Sequence, residues 1–205
     1  YDAMDRKTNT VISYFEPENQ MAIAKGQSVS QTIYSGTSHV LQDIDGNGHV
    51  TTTAYDTANR RRTVIDAKGN TTTYTYDAGN RVTQISEVDK SDLGSPDQTF
   101  ITTQSYDNLD RLIQSVDNIG NTNRWAYDSR NNRVLEIDGR GNVRRSAFDG
   151  LNRLIQSTRE LTDTGGGSGK IIGSIVTRQT WDDSSRLTSQ TDDNTNTTSH
   201  VHDSL

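Results

Sequence analysis

The chain has 205 residues, no cysteine and a net charge of −6, from 21 Lys plus Arg against 27 Asp plus Glu, a length that suits one large domain or two small ones. Hydrophobic residues are 29 %, and even with the 16 glycines added the apolar share stays below the ~45–50 % of an ordinary globular domain, so a thick core is not expected. The acidic balance speaks against nucleic acid as a partner, and the missing cysteines exclude disulfides, thiolate metal sites and a Cys nucleophile.

Along the chain, an aromatic residue followed by Asp, with Arg four residues after that Asp, opens YDAMDR at Tyr1, YDTANR at Tyr55, YDAGNR at Tyr76 and YDNLDR at Tyr106. Degenerate copies start at Tyr34 (YSGTSH), Tyr127 (YDSRNN), Phe148 (FDGLNR), Trp181 (WDDSSR) and His202. The starts are 33, 21, 21, 30, 21, 21, 33 and 21 residues apart, so the unit is 21 residues and three units carry insertions of 12, 9 and 12. A fixed period of this size predicts a repeat architecture. An acidic residue recurs eleven positions after the aromatic at Asp45, Asp66, Glu87, Asp117, Asp138 and Asp192, and Gly-Asn follows at 69–70, 120–121 and 141–142.

Each unit predicts strand, turn, strand, turn. In the unit around Tyr76, Thr71 to Tyr76 is a β-branched and aromatic strand, Asp77-Ala78-Gly79-Asn80 has turn chemistry, and Arg81 to Glu87 is a second strand. Residues six, eight and ten after the aromatic share one strand face and read Val40, Gln42, Ile44 in one unit and Leu112, Gln114, Val116 in another. One modestly apolar face per hairpin makes a core only when neighbours stack. The expected fold is therefore all-β: tandem antiparallel hairpins joined into one continuous, curved, shell-like sheet. The whole of 1–205 reads as a single repeat array, cut at both ends. The insertions, Ser13 to Ser30, Val88 to Phe100 and Glu160 to Arg178, read either as drifting surface loops or as longer hairpins set on one rim.

Tyr55, Asp56, Arg60, Tyr76, Asp77, Arg81, Tyr106, Asp107, Arg111, Tyr127 and Asp128 define the repeat and are read as structural. The Asp suits turn amides and the Arg four later is its charge partner, a clasp and not an acid/base pair. The row of aromatics, with Tyr74 and Trp125 on the same strand faces, suits packing between neighbours; it also admits a glycan-binding adhesion module.

Other motifs fall short of chemistry. Asp43-Ile44-Asp45-Gly46-Asn47-Gly48 opens like a calcium loop, but position twelve is Ala54. Gly165 to Lys170 lacks the first glycine and the Ser or Thr of a phosphate loop and reads as a flexible tip, and His200 and His202 lack a third ligand. The basic run Arg60-Arg61-Arg62 reads as a solvated strand face. No catalytic, cofactor or metal site is expected.

The YDxxxR hairpin with its 21-residue period and DxxGN closing turn resembles the YD-repeat (Rhs) family, whose members include bacterial Rhs polymorphic toxins, insecticidal toxin-complex subunits and teneurin shells. The resemblance implies a non-enzymatic wall segment that encapsulates or displays a toxin or effector domain. It also implies a longer bacterial protein, secreted or at the cell surface, and partners that are other repeats of the same chain and an enclosed toxin. The proline- and glycine-rich boundary segment and the toxin domain are not in this sequence. No run approaches the ~18 apolar residues of a membrane helix, and YDAMDRKTNT has no apolar signal segment, so membrane insertion is not expected and any export signal is expected elsewhere.

Overall fold

The structure, a computed structural model, describes residues 1–15, 22–91 and 94–203. Every regular element among them is a strand, and the chain divides into two compact units, Tyr1–Ile101 and Thr102–Leu205. The N-terminal unit holds β1 (Asn9–Phe15), β2 (Ala22–Tyr34), β3 (Val40–Ile44), β4 (Val50–Tyr55), β5 (Arg61–Ile65), β6 (Thr71–Tyr76) and β7 (Val82–Asp89), each antiparallel to the next. β8 (Gln98–Tyr106) leads into the C-terminal unit. There it is followed by β9 (Leu112–Val116), β10 (Thr122–Tyr127), β11 (Arg133–Ile137), β12 (Val143–Phe148), β13 (Leu154–Thr162), β14 (Ile171–Trp181), β15 (Leu187–Thr191) and β16 (Thr197–Ser199). Again each strand is antiparallel to the next.

The expected all-β hairpin array is what the chain forms, and the reason is local. Thr71–Tyr76 alternates β-branched and aromatic residues with no glycine or proline, which suits a pleated ribbon. The strand stops at Asp77, whose N–H donates to the Arg81 carbonyl at 3.0 Å while the Asn80 N–H donates to the Asp77 carbonyl at 3.2 Å. Asn80 sits at φ 64°, and the ladder shifts register between Thr75 and Tyr76. This is a hairpin turn closed by one left-handed residue and a bulge. Asn59, Asn131 and Asn152 take that position in other aromatic-side turns, and Gly48, Gly69, Gly120 and Gly141 take it at the opposite strand ends. Both residue types tolerate positive φ.

Alternation follows the sequence closely in β3, where Val40, Gln42 and Ile44 are half-buried and Leu41 and Asp43 are exposed. Stacking of neighbours does not, however, produce a core: among the described residues no side chain is fully buried. Each unit is a single layer with no opposing layer to dehydrate either face, so lateral contacts between strands carry the stabilisation.

The insertions are largely strand. β13 and β14 have 9 and 11 residues where β9 and β11 have 5, so the added length extends the hairpin. Of the first insertion, residues 16–21 lie outside the described residues. The glycine-rich tip of the third is not free, since the Gly167 N–H donates to the Arg140 carbonyl at 2.9 Å. A Cβ on Gly167 would lie 1.6 Å from the Gly141 carbonyl oxygen, so two backbones touch with no room for a side chain.

Two outcomes test this account. Asn59→Ala places a Cβ without a compensating amide at φ 62° and should cost about 1 kcal/mol in urea unfolding, while Asn59→Gly should stay within a few tenths. Gly167→Ala should undock the tip, read as lost amide protection across 163–170 with the strands unchanged; retained protection would show that the close approach is dispensable.

Candidate functional site: a spine of carboxylates, cations and aromatic rings

The aromatic-side turns build one repeated constellation. The Asp56 Oδ1 accepts the N–H groups of Ala58 and Arg60, each at 2.9 Å, and its Oδ2 accepts the Arg60 Nε and Nη2, each at 2.8 Å. The carboxylate thus closes the turn with one oxygen and holds two nitrogens of the guanidinium with the other, a charge-assisted contact. Asp77 and Arg81 repeat it, with Oδ1 contacts of 2.8 and 3.0 Å and both Oδ2 contacts at 2.7 Å. Asp107 and Arg111 do so as well, with Oδ2 contacts of 2.7 and 2.6 Å. At Asp128 the fork is replaced by an amide: Asn132 Nδ2 donates to Asp128 Oδ2 at 2.9 Å and to Asn152 Oδ1 at 2.9 Å.

The free ends of Arg60 and Arg111 reach the next hairpin. Arg60 Nη1 donates to the Asp77 carbonyl at 3.2 Å and to Asn80 Oδ1 at 2.8 Å, and its Cζ lies 4.5 Å from the centre of the Tyr76 ring. In the C-terminal unit Arg111 Nη1 donates to the Asp128 carbonyl at 2.9 Å and to Asn131 Oδ1 at 3.0 Å, with Cζ 4.8 Å from the Tyr127 ring. Cation and ring attract through the ring quadrupole. Three of the tyrosines in turn reach back: Tyr55 Oη donates to the Val40 carbonyl at 3.1 Å, Tyr76 Oη to that of Arg61 at 2.6 Å, and Tyr127 Oη to that of Leu112 at 3.0 Å. Trp181 does the same through Nε1 to the Leu154 carbonyl at 2.8 Å. Tyr106 Oη donates to Gln104 Oε1 at 2.8 Å.

A second clasp was hidden in the recurring acidic position. Asp66 Oδ1 accepts the N–H groups of Lys68 and Asn70, each at 2.9 Å, and Oδ2 accepts Asn70 Nδ2 at 2.8 Å; Asp117 and Asp138 hold Asn121 and Asn142 alike. The spacing D-x-x-G-N equals D-x-x-N-R, and that equality was the available signal. The side-chain bonds between successive units left no such trace in the sequence.

Other sequence candidates are engaged in the sheet. Asp45 accepts the N–H groups of Asn47 and His49, Asp43 accepts the Thr32 hydroxyl at 2.9 Å, and no group able to hold a metal occurs among the described residues. His202 Nε2 meets the Leu187 carbonyl at 2.8 Å. Within the basic run Arg60 is half-buried in its clasp, whereas Arg61 and Arg62 are exposed, Arg61 lying 5.1 Å from the Tyr74 ring. Trp125 Nε1 is buried without a hydrogen-bond partner.

The clasps fix charge. The Arg6 side chain, helped by the N–H groups of Arg6 and Met4 and opposed by desolvation, pulls the Asp2 carboxyl down to about 2. Asp77 is lowered by the Arg81 side chain and then its N–H, and Asp56 by the Arg60 N–H and then its side chain. These groups stay ionised at neutral pH and offer no proton to a reaction.

The RHS Repeat family model matches residues 55–91, the stretch that opens with the Tyr55 and Tyr76 units. The same clasp recurs from Asp2 to Asp182, and within 55–91 the chain carries an RHS repeat. Among solved structures, the Photorhabdus luminescens Tc holotoxin pore with a substituted TccC3 aligns at 14 % identity and TM-score 0.64, over 94 % of this chain and 11 % of that one. The crystal structure of TcdB2-TccC3-TEV aligns at 15 % identity and TM-score 0.65 with the same coverage. The likeness is one of fold, and the chain spans 11 % of the length of each of these structures. No curated protein matches the sequence.

Because the clasp carboxyls are lowered on folding, their stabilisation is present above the ordinary Asp value of ~3.9 and is lost as pH falls through the folded values, about 2 at Asp2. Thermal melting should show no loss between pH 7 and 5 and a steep fall below ~4; an equal loss above pH 5 would contradict this. Tyr76→Phe removes only the bond to the Arg61 carbonyl and should cost about 1 kcal/mol in urea unfolding.

Proposed function

We propose that this chain is a non-enzymatic wall segment of a YD-repeat shell, and that Tyr55, Asp56, Arg60 and their equivalents are the structural ties that hold one repeat to the next. The observation that carries this is the contact of Arg60 with Tyr76 and Asp77, and of Arg111 with Tyr127 and Asp128. Both rows spend their cations, carboxylates and rings on neighbouring hairpins. The repeat register runs on in sequence from Tyr1 to His202, which supports one array across both units. The fold shared with the Tc holotoxin and TcdB2-TccC3 structures supports a larger secreted bacterial toxin assembly, in which such a wall encloses or displays an effector domain.

An adhesion role has no comparable support. Four repeat aromatics have a guanidinium within 6 Å of the ring, leaving that face unavailable to a sugar.

The test is proteolysis of the longer protein as encoded. An effector domain that resists proteinase K while joined to the repeats, and is digested when expressed alone, supports enclosure. Equal digestion of both, or specific binding on a glycan array that Tyr76→Phe leaves intact and Tyr76→Ala abolishes in a folded protein, overturns it.

A further inference from the structure

The hairpin between Tyr34 and Tyr55 departs from its neighbours at both of its turns. Where the units at Tyr1, Tyr55, Tyr76 and Tyr106 place Arg, it has His39, and where they place Asp it has Ser35. At its other turn His49 stands where other short units have Asn70, Asn121 and Asn142. Two of the four histidines of the chain thus occupy the two clasp positions of a single unit.

The His39 ring fills the place of the missing guanidinium. Its centroid is 4.5 Å from that of Tyr55, tilted by 49°, against 4.7 Å for Arg6 over Tyr34 and 4.5 Å for Arg60 over Tyr76. We propose that His39 is a proton-controlled joint of the spine: neutral, it is only an aromatic neighbour of Tyr55, and protonated, it becomes the cation that arginine supplies permanently elsewhere. The hairpin then tightens when the ring takes up a proton.

The surroundings accept either form. Ser35 Oγ lies 2.9 Å from Thr37 Oγ1, which lies 2.9 Å from His39 Nδ1. In the neutral ring the Thr37 hydroxyl donates to Nδ1. Ser35 Oγ accepts the N–H groups of Thr37 and His39 and so donates its own proton to Thr37 Oγ1; when a proton from solvent occupies Nδ1, that N–H also donates to Thr37 Oγ1 and the exposed Thr37 hydroxyl turns to solvent, so no donor is orphaned. From the next turn the charged groups are Asp56 and Arg60, paired with each other. From the preceding unit Arg6 touches the turn through the Ser35 carbonyl at 2.8 Å and Ser38 Oγ at 3.3 Å, but Asp2 pairs with it at 2.5 Å and offsets its charge. At the far turn His49 Nδ1 meets Asp45 Oδ2 at 2.8 Å, and protonation makes that contact an ion pair too. Asp45 is lowered chiefly by the His49 side chain and N–H, with a smaller part from the Asn47 N–H, so it remains a carboxylate from pH 7.5 to 5.5. The effect at His49 has the same sign but is screened, since both side chains are half or more exposed.

The test is amide hydrogen exchange on the whole chain at pH 7.5, 6.5 and 5.5, corrected for intrinsic rates. It compares Val40 to Tyr55 with Leu112 to Tyr127, whose joint is Arg111. The ratio of protection in the first hairpin to the second should rise about three-fold or more from pH 7.5 to 5.5, the reach of a surface cation–π contact. His39→Arg should hold the ratio high and His39→Gln low, each without pH dependence, while His49→Asn should leave most of the rise. A flat ratio in the unsubstituted protein, a rise that survives His39→Gln, or one abolished by His49→Asn alone would overturn the proposal.

Discussion

A single sheet layer has nothing to press against, and the carboxylate that recurs at the turns is what takes the place of an opposing layer. One oxygen of Asp56 satisfies two backbone N–H groups that a five-residue loop would otherwise leave to water, and the other fixes the guanidinium of Arg60. Once the fork is fixed, the remaining nitrogen of Arg60 has one direction in which to point, toward the carbonyl of Asp77 and the ring of Tyr76. Local turn closure and attachment to the next hairpin are thereby the same event. Losing the carboxylate loosens both, whereas losing the ring loosens only the second.

That coupling explains how a chain with 29 % hydrophobic residues and no fully buried side chain among those described can hold sixteen strands in order. Net stabilisation per clasp is modest because its groups are partly exposed, but the contacts repeat at short intervals and each orders the next. Stability in such an array is a sum of nearest-neighbour terms rather than the property of one core. The cross-strand pairs of β-branched residues, such as Thr63 with Thr73 and Val64 with Thr72, add to it through lateral contact.

Much of this was legible from residue positions alone. The period places Tyr55, Tyr76, Tyr106 and Tyr127 at matching strand ends, Asn80 marks the left-handed residue, and the alternation in Val40 to Ile44 gives the half-buried face. The destination of Arg60 was not legible, because a partner seventeen residues away leaves no local spacing. The second clasp was missed for a different reason: Asn70 and Arg60 differ in charge and length, though both present an N–H to the same carboxylate oxygen. The glycine tip at 165–169 looked flexible because glycine permits freedom, whereas here it permits contact between two backbones.

The contact between Gly167 and Gly141 sets the units apart by how freely they can be shuffled. A short unit that keeps its arginine, as those at Tyr55 and Tyr106 do, carries its own socket and plug, a ring and turn carbonyl on one side and a cation on the other, so one can be gained or lost in steps of 21 residues without any surface being redesigned. The long hairpin that bears Gly167 closes over the backbone at Gly141 and needs glycine on its own side, where a Cβ would collide with the Gly141 carbonyl. The constraint is therefore carried by the long hairpin itself: the short units at Tyr34, Tyr55 and Tyr106 also have glycine at the position of Gly141, as Gly48, Gly69 and Gly120, so exchange within the array can change the neighbour but not Gly167.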